Sequence, residues 1–454
     1  MINPAQRKLV LAYVLIPILF LALNAGHSSD QFSGAVSSRL PVLVGLGVLG
    51  LMASGSIFRL LRLDRMGGGI SLPQRLSIAL WGWLTLCSLS AGIYNGNLMT
   101  VIISLVQTFS WMCIFWTIGA FTRNRAEFRF LERTVWWMGI AITGSVYLGL
   151  ILFYIFGFYF GEVVNQEETG LFRCFGPLGD HVGFIIVLFL GIAIAKRRYI
   201  EVACHFGAII LTGTRGAMIS ALIAGLWILF NSPGVRVKAI GKFMAFSAFG
   251  IVLVIWLSHS SDILGRTFFM RVLDSDAVNA GAVSRLDVFS AAVRVIMDNP
   301  LIGTGIGGFR SNWDSITSLA AFTSGIDVDR VTFYTQNQLL QFGVDSGIPG
   351  AILYIMFVLS KLRVSRRTVR FAFPEDRAAL RGFDAFLMGI FLGNQSAVWF
   401  AANSSTGFFM MLVCGLILGY SDLIRQKEPA VSRGNEAARL RCCKETVYAH
   451  RPNQ

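Results

Sequence analysis

Residues 178–198 read LGDHVGFIIVLFLGIAIAKRR, an apolar run that ends in three consecutive basic residues. A helix that crosses a lipid bilayer needs about 20 mostly apolar residues. The run therefore predicts a membrane span over 178–195. Positive charge directly after a span, here Lys196, Arg197 and Arg198, is typical of its cytoplasmic end. This stretch decides the fold class, because the same pattern recurs along the chain.

The composition of the whole chain agrees with a membrane protein. Of its 454 residues, 54% are apolar and 14% are charged, whereas about 25% of the residues of a soluble globular protein are charged. The mean hydropathy is +0.63. A soluble core of this size cannot bury so many large apolar side chains, which would leave a vast exposed patch. The composition therefore argues against a soluble enzyme, a disordered chain and a coiled coil.

Twelve apolar segments are candidates for membrane spans. The seventh and eighth are short and can instead form one broken hairpin around Thr212–Gly216. The first follows Arg7 and Lys8, as in a signal peptide, but no clean cleavage site follows it, which favours a span. We expect an all-α polytopic membrane protein with about 12 transmembrane helices. The segments are 9–25, 40–60, 76–94, 98–121, 134–160, 178–195, 200–213, 216–231, 239–258, 338–360, 382–400 and 404–421.

The net charge of +14 comes from 39 Lys and Arg against 25 Asp and Glu. Such an excess can indicate a nucleic-acid partner. With the N-terminus inside, however, 30 of the 39 basic residues fall on the inner side of the twelve segments. This bias predicts that both termini are cytoplasmic, and it explains the charge without nucleic acid. The nine outer basic residues are Arg39, Arg173, Arg215, Arg266, Arg271, Arg285, Arg294, Arg310 and Arg330.

The predicted topology divides the chain into four parts. They are nine transmembrane helices in 1–258, a large helical outer loop in 259–337, three more transmembrane helices in 338–421, and a basic cytoplasmic tail in 422–454. The seven cysteines and five histidines show no metal-ligand spacing, and only Cys174 falls in an outer loop, so neither a metal site nor a disulfide framework is predicted.

The outer loop contains a predicted helix that carries an arginine of interest. Ser284, as N-cap, and Asp287 three residues later indicate its start, and Asn299-Pro300 indicates its end. An apolar stripe at helical spacing predicts the face that packs on the membrane domain, with Arg285 at its edge and Arg294 toward water. Alternatively, Arg285 is a solvated arginine at a helix start. The stripe consists of Leu286, Phe289, Val293 and Ile296.

The segment Gly303–Gly308 matches the dinucleotide-binding fingerprint literally, but no strand precedes it and it lies outside the cell. It is therefore either a tight loop that lets the backbone approach another surface or a cradle of N–H groups for an anion. Further on, the polar run Thr332–Gln338 can bind sugar hydroxyls or cap the next helix. Asp345 and then Gly347–Gly350 interrupt that helix. A carboxylate in a span is costly and often functional, although Gly and Pro alone can mark a kink.

Arg215 lies between two apolar segments near the outer surface, with no carboxylate close to it in sequence. The guanidinium is always charged, and its fork of donors fits phosphate. Arg215 and Arg285 converging on an outer cavity would suit a lipid diphosphate. The alternative for Arg215 is a membrane-interface anchor.

At these residues the chain resembles the bacterial O-antigen ligase and polysaccharide polymerase superfamily. Four features in the family's order carry the resemblance across about 173–350. They are Arg173–Gly176 leading through Asp180-His181 into a span, Leu211–Ala217, Arg285 followed by Asn299–Gly305 and Phe309, and Gln336-Asn337 with Leu340 before Gly347–Gly350. Asp180-His181 stands near the place where the family often has Pro-Asn.

The resemblance implies a membrane glycosyltransferase of the GT-C-like type that needs no metal or other cofactor. Its donor would be a glycan on undecaprenyl diphosphate at the outer face of the bacterial inner membrane, within a pathway that also has a flippase and a chain-length regulator. Arg215, Arg285 and Arg173 would bind the diphosphate. Tyr334 and Asp180 would contact the acceptor sugar, and Gln336, Asn337 and His181 would form the catalytic group.

The chain departs from the ligases at Gln336, where they have a histidine that is thought to act as general base. An amide cannot take a proton near neutral pH. In one explanation, Gln336 only orients the acceptor while another group, such as His181, Asp180 or Asp329, is the base. In another, departure of the leaving group leads and little base is needed. The departure favours a polymerase that extends an exopolysaccharide or O-antigen on the lipid carrier. The alternatives are an O-antigen ligase that transfers the glycan to lipid A-core and a transporter of lipid-linked glycans.

Overall fold

The computed structural model describes residues 71–94, 98–122, 124–158, 162–166, 171–176, 182–231, 275–306, 308–311, 335, 337–393 and 406–425. The predicted spans at 9–25, 40–60 and 239–258, and the tail beyond residue 425, lie outside these residues.

The described chain is mainly helical, with one short two-stranded ribbon. Its helices overlap every predicted span that falls among the described residues, and one of them, α2, begins and ends at the predicted residues 98 and 121. The elements are α1 (Leu72–Tyr94), α2 (Leu98–Phe121), α3 (Arg125–Phe156), β1 (Glu162–Gln166), β2 (Leu171–Gly176), α4 (Val182–Ala195), α5 (Tyr199–Leu211), α6 (Arg215–Asn231), α7 (Ser275–Asp298), α8 (Gly308–Ser311), α9 (Gln338–Phe371), α10 (Pro374–Gly393) and α11 (Thr406–Arg425).

Four of the described helices, α1, α3, α9 and α11, are long and apolar enough to cross a membrane. Three further helices, α4, α5 and α6, are apolar but have only 14, 13 and 17 residues. The long helices expose large apolar side chains, among them Trp137, Leu148 and Ile151 on α3. Such a surface is stable against lipid and not against water. The chain is therefore a helical membrane protein, and the total of twelve spans stays a prediction.

The helix α4 is the centre of the described core. Residues 182–193 are all buried, and α3, α5, α6 and α10 pack around them. A helix that is apolar on every side must be kept from water by protein or by lipid, and the neighbouring helices do this for α4. Glycines let α4 and α10 approach closely, since a Cβ added at Gly382 would lie 2.6 Å from the Cα of Ile192.

An ion cluster ties together the starts of α3 and α10, just before the predicted span 382–400. Asp376, whose side chain is 2% exposed, accepts hydrogen bonds from Arg125 Nε and Arg129 Nε, both at 2.8 Å, and from the Tyr420 hydroxyl on α11 at 2.8 Å. Burial alone would raise the pKa of Asp376, but these three donors outweigh it and hold the pKa below its ordinary value. Glu375 bridges the same two arginines from the exposed side.

The ribbon was not predicted. Its strands pair antiparallel, with Val164 opposite Arg173, and β2 lies against α3, α4 and α5. The thiol of Cys174 on β2 is buried and donates to the carbonyl oxygen of Val146 at 3.3 Å. The motif that begins at Arg173 is thus a strand fixed over the end of the helix bundle.

The outer-loop helix was predicted in the right place but with the wrong start and the wrong packing face. α7 begins at Ser275, so Ser284 is inside the helix and does not cap it. Three alanines before Ser284 favour helix. Half of the predicted stripe is exposed, with Leu286 at 63% and Val293 at 48%, whereas Phe289 and Ile296 are partly buried.

The packing face of α7 instead consists of Val288, Ala292 and Val295, which pack with Phe309 and with Val344 on α9. The small side chain of Ala292 lets the helices approach closely, and such residues favour helix contacts over larger apolar ones. In the sequence, the spacing of three and four residues continues backward from Val288 to position 285. The role of Arg285 stays a prediction.

Candidate functional site

The turn between α5 and α6 places Arg215 at the first residue of a helix. Gly213 has φ +60° and donates its N–H to the Ile210 carbonyl oxygen at 2.9 Å, while the Thr212 hydroxyl donates to the Ile209 carbonyl at 2.7 Å. Arg215 is partly exposed. A cation at a helix N-terminus opposes the helix dipole, whereas an anion is stabilised there. The position therefore suits an arginine that binds an anion better than one that only stabilises α6.

The same turn packs against the start of α4. A Cβ added at Gly183 would lie 2.8 Å from Thr212 Oγ1 and 3.0 Å from the Cβ of Ala217. The chain enters α4 from Asp180-His181, which lie outside the described residues. The structure thus brings the Arg215 turn next to the helix that follows those two predicted site residues, and β2, with Arg173 in it, contacts α4 and α5 as well.

A second group of predicted residues surrounds a break in α9. The helix loses its regular geometry at Ser346, with φ −142° and ψ 18°, and at Gly347, with φ +70° and ψ −175°. This confirms the interruption predicted from Gly347 and Pro349. A break leaves helix carbonyl groups without their usual N–H partners. Trp83 on α1 supplies one replacement, since its Nε1 donates to the Ser346 carbonyl oxygen at 2.9 Å.

The glycine-rich loop after α7 supplies the other replacements. Thr304 N–H donates to the Val344 carbonyl at 2.7 Å, and Gly305 N–H donates to the Asp345 carbonyl at 3.0 Å. Because these N–H groups are already bound to protein oxygens, the loop is a close backbone contact and not an anion cradle. A Cβ at Gly303, which has φ +68°, would lie 2.4 Å from the Val344 carbonyl oxygen, so the contact requires glycine.

Asn337, one of the predicted catalytic residues, caps α9. Its Oδ1 accepts the N–H groups of Leu339 at 2.9 Å and Leu340 at 3.1 Å. Of the two roles open to this polar run, helix capping is the one that Asn337 fills. Gln336 and Tyr334 lie outside the described residues.

A chain of polar groups that the sequence did not reveal as a unit runs beneath this cap. Buried Asp345 accepts from Gln341 Nε2 at 2.9 Å, and Gln341 Oε1 accepts from the N–H of Thr335 at 3.2 Å. The spacing of four residues between Gln341 and Asp345 is the one signal in the sequence, since it places both on one helix face. Thr335 lies in the segment that precedes the helix, so this spacing does not indicate it.

The packing of α7 on α9 joins the predicted arginine to the predicted catalytic segment. The packing face of α7 contacts the first half of α9, where a Cβ at Gly343 would lie 2.6 Å from Ile296 Cδ1. α7 and the start of α9, with their predicted residues Arg285 and Asn337, therefore belong to one packed unit. Among the described residues, no group of three or more His, Cys, Asp or Glu side chains is arranged to hold a metal ion.

Residues 201–355 match the family model described as O-antigen ligase. The match confirms the resemblance to the O-antigen ligase and polysaccharide polymerase superfamily. The matched range runs from α5 to the middle of α9, so it includes Arg215, Arg285, the glycine-rich loop and the capped start of α9. The match supports a role for this membrane protein in polysaccharide assembly. No curated protein matches the chain.

Proposed function

We propose that the protein is a polysaccharide polymerase that extends glycan repeat units carried on undecaprenyl diphosphate at the outer face of the bacterial inner membrane. The observation that carries the proposal is the content of the segment that matches the O-antigen ligase model. Within one matched range it has the two arginines suited to a diphosphate, but glutamine at position 336, where ligases have histidine.

Arg215 and Arg285 bind and stabilise the diphosphate as the leaving group, with Arg173 as a third contact. The N-terminus of α6 supports this role of Arg215, because helix N–H groups and a guanidinium favour the same anion. The packing of α7 on α9 supports the role of Arg285, because position 285 continues the spacing of Val288, Ala292 and Val295 in the sequence. Charge develops on the diphosphate during the reaction, and fixed positive groups at that place lower the barrier most.

The reaction is a displacement at the anomeric carbon of the donor glycan. The acceptor hydroxyl oxygen forms a bond to that carbon, the bond from the carbon to the diphosphate oxygen breaks, and the diphosphate keeps the electron pair. The hydroxyl proton passes to water once the leaving group has largely departed. Gln336 orients the hydroxyl, a task that an amide can perform, whereas it cannot accept the proton. Tyr334 and Asp180 contact the acceptor sugar, and His181 completes the group.

The proposal includes the finer features expected from the sequence. The fold is of the GT-C-like type with twelve spans, both termini are cytoplasmic, and the boundaries are at 258, 337 and 421. The partners are a flippase that delivers the lipid-linked repeat unit and a regulator of chain length.

A ligase is the second candidate, because the matching family is described as O-antigen ligase. It would transfer the finished glycan from the carrier to an acceptor such as lipid A-core. The two enzymes use the same donor and differ in the acceptor, so the arginine sites serve either one.

Analysis of lipid-linked saccharides in a deletion strain separates these functions. Loss of a polymerase leaves single repeat units on the carrier, and complementation with the intact gene restores long chains. Long chains that remain on the carrier but fail to reach lipid A-core would contradict the proposal and identify a ligase. Repeat units that fail to reach the outer leaflet would identify a transporter.

A further inference from the structure

The buried carboxylate of Asp345 lies at the break in α9, two turns into the helix that Asn337 caps. Its residue is 8% exposed, and its Oδ1 accepts a hydrogen bond from Gln341 Nε2 at 2.9 Å. Burying a carboxylate in an apolar interior costs free energy. Replacing buried polar pairs by apolar side chains is often neutral or stabilising. Stability alone therefore gives little reason for this pair.

The backbone around Asp345 is held from outside α9. Its own carbonyl accepts the N–H of Gly305 at 3.0 Å, and the next carbonyl, of Ser346, accepts from Trp83 Nε1 at 2.9 Å. The Ser346 hydroxyl donates back to the Phe342 carbonyl at 2.8 Å. The carboxylate thus projects from a backbone that α1 and the glycine-rich loop fix in place.

The Gln341 amide bridges Asp345 and Thr335. Its NH₂ group donates to Asp345 Oδ1 at 2.9 Å, and its oxygen faces the other way. That oxygen accepts the N–H of fully buried Thr335 at 3.2 Å. The Thr335 hydroxyl in turn donates to the Asn337 carbonyl at 2.8 Å and accepts the Asn337 N–H at 3.4 Å. The polar chain therefore ends on both covalent neighbours of position 336.

We propose that Asp345 is a positioning residue for the acceptor: through Gln341 and Thr335 it fixes the segment from which Gln336 orients the acceptor hydroxyl. The inference rests on the proposed function, because that function gives Gln336 its role. Orientation errors of about 1 Å at a reacting group can lower rates by about 100-fold. A buried polar chain whose members are oriented in one direction supplies the rigidity that orientation requires.

The test measures steady-state glycan transfer by the purified full-length protein in lipid nanodiscs, with the acceptor and the donor varied separately. We expect Asp345→Ala to lower kcat/KM for the acceptor by about 10- to 100-fold and to leave the donor KM unchanged. Asp345→Asn keeps an oxygen that can accept the bond from Gln341 Nε2, so it should show a smaller loss. It also tests the inference if the alanine variant does not fold.

A double-substitution cycle separates positioning from a general loss of structure. If Asp345 acts through Gln336, then Asp345→Ala should cause little further loss in a Gln336→Ala background. Asp384→Ala is the matched control, because Asp384 is also a buried carboxylate in a helix and accepts one bond, from Trp227 Nε1 at 2.6 Å. It should lower the melting temperature without a selective change in acceptor kinetics.

Three results would overturn the inference. They are wild-type acceptor kinetics in both Asp345 variants, equal losses for donor and acceptor, and losses that multiply fully in the double variant. A wild-type protein that transfers glycan to lipid A-core would contradict the polymerase proposal. The role of Asp345 could still be tested in the same way, with lipid A-core as the acceptor. A wild-type protein with no transfer to either acceptor would overturn both proposals, so the two failures are distinguishable.

Discussion

The backbone N–H of Thr304 donates to the carbonyl oxygen of Val344 at 2.7 Å, across the break in α9. The bond joins a loop and a helix that are 40 residues apart in sequence, and it is possible because Gly303 brings the two backbones into contact. The broken helix is therefore stabilised from outside by the segment that follows α7.

Replacing Gly303 by alanine should unfold this junction. The added Cβ would lie 2.4 Å from the Val344 carbonyl oxygen, at a φ of +68°, and together strain and overpacking should cost more than about 2 kcal/mol. Thermal unfolding in detergent, followed by size-exclusion chromatography, measures the loss. Gly144→Ala in α3 is the control, since a Cβ there meets nothing within 4 Å. Equal stability of the two variants would contradict the account.

Alanine at Arg215 or Arg285 should lower polymer formation by about 100-fold or more. Under the proposed function, each substitution removes a positive charge that stabilises the negatively charged leaving diphosphate. Lysine at either position should recover part of the activity, since it restores the charge but not the fork of donors. Polymer length in a complementation assay gives the readout. Arg294→Ala is the control, because Arg294 is exposed on α7 and away from its packing face. Unchanged polymer length in Arg215→Ala and Arg285→Ala would eliminate the diphosphate role.

Histidine at position 336 should introduce a new dependence of the rate on pH. Imidazole titrates near pH 6.5 and can accept a proton, whereas the amide of Gln336 does neither. We expect the Gln336→His variant to lose activity as pH falls through this range, while the wild-type rate shows no such step. Rates measured from pH 5.5 to 8.5 with saturating donor test this. Identical profiles would mean that position 336 does not contact the acceptor hydroxyl.

The Asp376 cluster should make the stability of the protein depend on pH. The folded pKa of Asp376 lies below the ordinary value of 3.8, so its stabilising contribution is complete above that value and is lost as pH falls through the folded pKa. Asp376→Asn should therefore cost about 3 kcal/mol at pH 7 and should weaken the fall of the melting temperature at acid pH. Glu375→Gln, at the exposed side of the same arginines, should change little. If the melting temperature of Asp376→Asn fell at acid pH as much as that of the wild type, the effect would belong to another group.

Sequence patterns predicted the parts of the fold that depend on neighbouring residues. The bounds of α2 follow from one uninterrupted apolar run, and the break in α9 follows from Gly347 and Pro349, which disturb the helix locally. The resemblance through Arg215, Arg285 and Gln336-Asn337 was recognisable for a similar reason, because each motif is a short local pattern.

Other features depend on partners that the sequence does not pair. Arg125 and Asp376 are 251 residues apart, and no periodicity connects them. The face of α7 was misassigned because a stripe of large apolar residues is expected to be buried in a protein that water surrounds. Here Val288, Ala292 and Val295 make the contact instead. Thr335 precedes α9 and contacts Gln341 inside it. No local pattern in the sequence indicates this contact.

The length of α4 bears on the depth at which the proposed substrate would be bound. Fourteen residues rise about 21 Å, some 9 Å less than the thickness of a typical hydrocarbon layer of about 30 Å. If Lys196 and Arg198 lie at one membrane surface, which their charge favours, the opposite end of α4 stops short of the headgroups of the other leaflet. The Arg215 turn packs on that end, so under the proposed function the phosphate would bind below the level of the surrounding lipid headgroups while its isoprenoid tail stayed among the acyl chains.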